Sequence, residues 1–160
     1  MAKLFRGSEI CEMAIETERK GKAFYEAAAA AAQTEAVREV CLRMAAAEGE
    51  HEETFKAMLV PIAHYESADS YSDEYLDYVN ALLQHDVMPS AEAGRKLAQE
   101  AKSEREAVDF AIQFEKGTIL FLFEMKNFVP EAEREVVEKL LNEERSHVAD
   151  LSKVRKTLAR

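Results

Sequence analysis

Apolar residues recur at helical spacing along most of this chain, and the breaks in that spacing divide it into four long segments and a middle section. The first segment is predicted over residues 8–33, with Ser8 as its N-terminal cap and Cys11, Ala14, Ile15 and Tyr25 on one face. The pattern restarts at Thr34 and Glu35 and continues to about Val60, where Pro61 is predicted to interrupt it. Between about residues 62 and 102 the register changes. Two short helices are predicted there, over roughly 72–85 and 90–102, with a break at Pro89. Ser103-x-x-Glu106 is a capping-box signature that opens a third long helix, ending near Phe128, and Pro130 suits the first turn of a fourth that runs to the end of the chain.

Short turns within each pair of long helices and a long connection between the pairs predict an all-α fold: an antiparallel four-helix bundle with one crossover containing short helices. A structureless connection of that length would be unusual, which supports helices within it. At 160 residues the chain fits a single domain, 1–160, made of hairpins at about 8–60 and 103–160 joined by an insert at about 62–102. Composition agrees. Residues are 48% hydrophobic and 32% charged, and only five Gly and three Pro interrupt a sequence rich in helix formers.

A formal charge of −10 disfavours nucleic acid or an anionic membrane surface as a partner and suits attraction of cations. Cys11 and Cys41 form no CxxC pair and fall on apolar stripes, so they read as reduced core residues of a cytoplasmic protein. The first seven residues lack a signal-peptide core, and the longest apolar run, 119–123, is far too short to span a bilayer.

The stripes carry an anomaly. Glu48-x-x-His51 and Glu144-x-x-His147 stand in the second and fourth helices, and a lone glutamate precedes each, Glu18 by thirty residues and Glu115 by twenty-nine. Ala14-Ile-Glu-Thr-Glu18 aligns with Ala111-Ile-Gln-Phe-Glu115 without a gap, as in a duplicated hairpin. The positions three, four and seven residues from each acid are mostly apolar, so all four carboxylates are predicted to face the core. Lys22 and Glu52 disturb that pattern and are placed at the stripe's edge.

Ionised carboxylates in an apolar interior are strongly disfavoured unless compensated, and a cluster of them protonates or binds cations. Two divalent ions balance four negative charges. Glu48 and Glu144 then bridge the ions, His51 and His147 bind one each, and Glu18 and Glu115 are terminal ligands. A lone Glu on two helices with Glu-x-x-His on the other two is the ligand pattern of di-iron and di-manganese carboxylate bundles. Mixed oxygen and nitrogen donors suit Fe or Mn, with Zn as an alternative. The competing reading is a buried layer of Glu–His hydrogen bonds without metal. His64 and His85 lie outside the repeat and read as surface residues, and the tyrosines at 65, 71, 75 and 78 read as packing or a subunit interface.

Glu18-x-x-Gly21-x-x-Phe24-Tyr25, Glu48-x-x-His51, Phe114-Glu115-Lys116 and Glu144-x-x-His147 together resemble the rubrerythrin-like branch of the ferritin-like superfamily. The resemblance covers most of the chain. It implies a ferritin-like bundle, often a homodimer, holding a carboxylate-bridged pair of iron ions that reduces hydrogen peroxide or reacts with O2. It also implies a role for Tyr25, as a hydrogen-bond donor near the centre; the plainer reading is a core aromatic. Asp150 is a candidate to orient an imidazole, though a solvent-facing acid is the simpler reading. Gly21 and Thr118 are small at matching positions and leave room for a small oxidant, or for close helix packing.

Two departures bear on function. Full-length rubrerythrins carry a rubredoxin module with paired CxxC motifs, and these 160 residues hold none, so electrons are expected from an external donor such as a rubredoxin-like protein. Rubrerythrins also place a further carboxylate one turn beyond the third-helix glutamate, where this chain has Thr118. Ferroxidase or iron-handling activity is the alternative within the superfamily, and a metal-binding structural bundle the alternative outside it.

Overall fold

The computed structural model describes residues 6–63, 65, 71–84 and 88–158, with the side chains of 83 and 84 left aside. Its helices are α1 (Gly7–Ala31), α2 (Glu35–Ile62), α3 (Asp73–Gln84), α4 (Ala91–Glu100), α5 (Glu104–Met125) and α6 (Glu131–Thr157), and no strand occurs among the described residues. α1 and α2 form one hairpin and α5 and α6 the other. The hairpins meet where α1 faces α5 and α2 faces α6. This is the predicted all-α, ferritin-like bundle. No helix among the described residues is long and apolar enough to cross a membrane.

The helix ends differ from expectation in instructive ways. α1 starts at Gly7 rather than being capped by Ser8, and the Glu9 carboxylate accepts the Arg6 backbone N–H at 3.0 Å. A side chain at position 7 would have its Cβ 2.7 Å from the Phe128 carbonyl oxygen, so only glycine lets α1 begin against that backbone. α2 continues through Pro61 to Ile62. Proline removes one hydrogen bond of the final turn, a small loss so close to the helix end. Ser103 caps α5 as predicted, accepting the Glu106 N–H at 3.1 Å, while the Glu106 carboxylate turns back to the Lys102 N–H rather than to that of Ser103. Pro130 is the N-cap of α6.

Among the described residues the insert contains α3 and α4, and they pack on two surfaces of the bundle. α4 lies along α1 with Gly94 at the contact, where a Cβ would sit 3.1 Å from the Lys20 carbonyl oxygen and 3.2 Å from Met88 Sδ. α3 docks on the end of α5. Tyr71 donates to the Asn127 carbonyl at 2.7 Å, Tyr75 donates to Glu124, and both rings pack on Phe128. Packing therefore accounts for Tyr71 and Tyr75. His64 and His85 lie outside the described residues.

The apolar interior falls into two clusters with a polar layer between them. One cluster contains Ile10, Ile15, Phe55, Met58, Leu122 and Leu141; the other contains Phe24, Tyr25, Met44, Val108, Phe114 and Leu151. On every long helix the chain passes from one cluster to the other across the predicted acids.

A polar tether joins the hairpins at one end. The Glu104 carboxylate accepts the backbone N–H groups of Gln33 and Thr34 at 2.7 and 2.8 Å and the Thr34 hydroxyl at 3.2 Å, which binds the α1–α2 turn to the start of α5. Glu104→Ala removes all three bonds at a partly exposed site and is expected to cost about 1 kcal/mol. The check is the chemical denaturation midpoint, compared with that of the exposed control Glu100→Ala, which is expected to match the parent chain.

Candidate metal centre

The six ligand candidates meet. Glu18, Glu48, His51, Glu115, Glu144 and His147 are all buried, and they form two overlapping groups whose ligand atoms lie within 4.8 Å of one another. Glu18, Glu48, His51 and Glu144 make one group; Glu48, Glu115, Glu144 and His147 make the other. Glu48 and Glu144 belong to both, which is the arrangement a bridging pair requires. Three-residue spacing on α2 and α6 puts each Glu and His on the same helical face one turn apart, and the antiparallel bundle brings the two faces together. The imidazole rings stack with centroids 5.6 Å apart and planes inclined by 18°.

The polar atoms converge without satisfying one another. Both oxygens of Glu18 and of Glu48, Nδ1 of His51, Oε2 of Glu115 and Oε1 of Glu144 are buried without a hydrogen-bond partner, and every such orphan among the described side chains belongs to this layer. His51 Nδ1 lies 2.8 Å from Glu144 Oε1 and 3.5 Å from Glu18 Oε2, close enough for attraction but without hydrogen-bond geometry. Lone pairs aimed at shared space rather than at donors are what a cation site needs, whereas a metal-free hydrogen-bonded layer would pair them. His147 Nδ1 is 2.8 Å from Glu144 Oε2 in a hydrogen bond and 3.9 Å from Glu115 Oε2.

Burial and mutual repulsion govern protonation here. Burial, then the charges of Glu18, Glu115 and Glu144, push Glu48 well above the usual carboxylate range, and burial with Glu144 pushes Glu115 up to about 8. Burial opposes ionisation of Glu144 as well, yet the two histidines hold its pKa below the usual range. Burial likewise opposes charge on the imidazoles, but Glu144 with Glu18 raises His51 to about 11, and Glu115 with Glu144 raises His147 to about 9. Without metal, protons replace ions as the compensating charge.

The surrounding residues separate the smaller candidates. Tyr25 donates its hydroxyl proton to Glu115 Oε1, and burial, then the charge of Glu115, keeps that hydroxyl protonated. At Gly21 the Glu48 carboxylate lies close against α1; a Cβ there would sit 2.6 Å from Glu48 Oε2 and 2.7 Å from a Phe114 ring carbon. The buried Thr118 hydroxyl donates to the Phe114 carbonyl at 3.2 Å. Asp150 pairs with Arg43 and Lys153 at the surface and touches neither histidine. Lys22 and Glu52 sit partly buried at the edge, with Glu52 paired to Arg19 and Lys56. One residue escaped the sequence reading. Glu143, 42% exposed, places Oε2 2.8 Å from Nε2 of His51, the ring nitrogen turned away from the acids. Its signal was available, because a ligating imidazole usually gives its second nitrogen to a carboxylate and Glu143 directly precedes Glu144.

Stability should depend on pH differently with and without metal. Glu48, Glu115, His51 and His147 hold protons in the folded metal-free state more tightly than when unfolded, so that stabilisation is complete below their unfolded values and is lost as pH rises through about 8, 9 and 11. Metal ligation needs the same groups deprotonated. The melting temperature of the metal-free chain is expected to fall from about pH 5 to about pH 9 while that of the metal-loaded chain holds, so the gap widens with pH. A gap independent of pH in calorimetric scans would show that protons and metal do not exchange at these groups.

Comparison with known proteins agrees with this geometry. No curated protein and no solved structure matches the chain. The rubrerythrin family model matches residues 9–155, a span that includes nearly all of the four long helices and every residue of the buried layer. A buried carboxylate–histidine cluster compatible with a di-iron site lies within that span, and the chain belongs to the rubrerythrin family.

Proposed function

We propose that this chain is a non-haem di-iron redox protein that reduces hydrogen peroxide, or O2, with electrons from an external donor. The observation that carries this reading is the set of orphaned polar atoms on Glu18, Glu48, His51, Glu115 and Glu144, buried together and directed at common space. Glu48 and Glu144 would contribute to both metal positions, Glu18 and His51 would complete one, and Glu115 and His147 would complete the other. Oxygen and imidazole donors fit iron, with manganese next, and the two thiols are held in the flanking apolar clusters away from the ligands.

Bound iron supplies one electron from each ion, enough for the two-electron reduction of a peroxide bond to water. The chain supplies the environment for that chemistry. The apolar clusters on either side keep bulk water and larger substrates from the layer. Tyr25 holds a proton at Glu115 Oε1 and fixes that carboxylate's orientation. Glu143 holds His51 with Nδ1 inward. The donor is a separate protein or small reductant.

Anaerobic Fe(II)-loaded protein is expected to be oxidised by one equivalent of hydrogen peroxide per pair of ions, faster than by an equal concentration of O2, as followed by the rise of near-ultraviolet absorbance. Glu144→Ala is expected to lose both ions, while the surface control Glu138→Ala keeps them. Oxidation by peroxide no faster than by O2 would remove the peroxidase reading, and full metal content in Glu144→Ala would remove the ligand assignment.

A further inference from the structure

The two halves of the centre are built alike but supported differently. The position formed by Glu18, Glu48, His51 and Glu144 has its imidazole fixed from behind, with His51 Nε2 2.8 Å from Glu143 Oε2. Lys139, 3.9 Å from the other Glu143 oxygen, offsets the charge of that support at the surface. The corresponding place before Glu48 holds Ala47, which has nothing to offer His147. The second difference concerns the acids. Tyr25 occupies one oxygen of Glu115, whereas the matching residue on α5 is Leu122, and neither oxygen of Glu18 has a hydrogen-bond partner. The third is access. His147 is 9% exposed and, with Lys139, Asn142, Glu143 and Ser146, lines a surface depression of about 350 Å³, whereas His51 is closed off more completely. Among the described residues, the outward nitrogen of His147 has no protein partner.

Resting on the dinuclear reading above, we propose that the two positions fill in order and hold their ions unequally: the Glu18–His51 position binds first and retains its ion, and the Glu115–His147 position binds second and exchanges its ion with solvent through the depression beside His147. An imidazole held by a carboxylate is pre-aimed and more basic, and removing such a support typically costs 10–100-fold in metal affinity. The brace on His51 and the closer enclosure of that ring act in the same direction, against the Glu115–His147 position.

The test uses the whole chain loaded with Mn(II), a redox-quiet probe that is visible by electron paramagnetic resonance. Under excess chelator, one ion should leave at least about tenfold faster than the other, and the coupled signal of the pair should give way to that of an isolated ion before all metal is lost. Glu143→Gln should speed loss of the slow ion by about 10–100-fold and leave the fast one nearly unchanged, with Glu143→Asp restoring part of the difference. Release of both ions at one rate, or a Glu143→Gln effect shared equally between them, overturns the ordering while leaving the paired site intact. Failure of the parent chain to bind Mn(II), Fe(II) or Zn(II) overturns the dinuclear reading itself, so the two failures are distinct.

Discussion

Four carboxylates enclosed between apolar layers impose the constraint on which the rest of this structure depends. Each acid is nearly inaccessible to water, and most of their oxygens have no donor. An unpaired charge in such surroundings is strongly disfavoured, and protonation relieves it only in part because four acids and two imidazoles compete for the same space. Cations relieve it fully. The apolar clusters above and below make the layer dry, which strengthens every interaction within it and raises the cost of leaving it empty.

Helical periodicity brings the layer together economically. One acid from α1 and one from α5, with an acid–imidazole pair from α2 and from α6, lie at a common height because the hairpins are antiparallel and nearly equal in length. The insert then protects what the hairpins build. Gly94 lets α4 press against α1, and the aromatic contacts of Tyr71 and Tyr75 seal the end near Phe128. At the opposite end Glu104 fastens one hairpin to the turn of the other.

Much of this was legible in the order of residues, and the reasons for success and failure are physical. Repeated apolar spacing revealed the four long helices, and acids interrupting that spacing revealed the layer, because both signals are local to a helix face. Helix ends were less legible. Gly7 starts α1 because of the Phe128 carbonyl, 121 residues away, and no local signal reports that contact. Pro61 was overweighted as a breaker, since a missing donor matters little in a last turn. A hydrogen-bonding role for Tyr25 near the centre was reached through family resemblance, while its partner, Glu115, came only with the fold. Glu143 was missed because it lies off the stripe; its place directly before Glu144 was a hint, but the fold was needed to show that the ring it reaches is His51 on the neighbouring helix.

The unequal support of the two imidazoles has a consequence for how such a centre can be rebuilt. A symmetric protein assembled from two copies of the first hairpin would keep four acids and two imidazoles, yet engage both lone glutamates with tyrosine and leave both rings unbraced. Doubling the second hairpin would brace both rings and free both glutamates. Neither copy alone reproduces a layer with one braced, enclosed imidazole and one accessible imidazole, so the differences between the halves, rather than their likeness, make the two sides of this layer dissimilar.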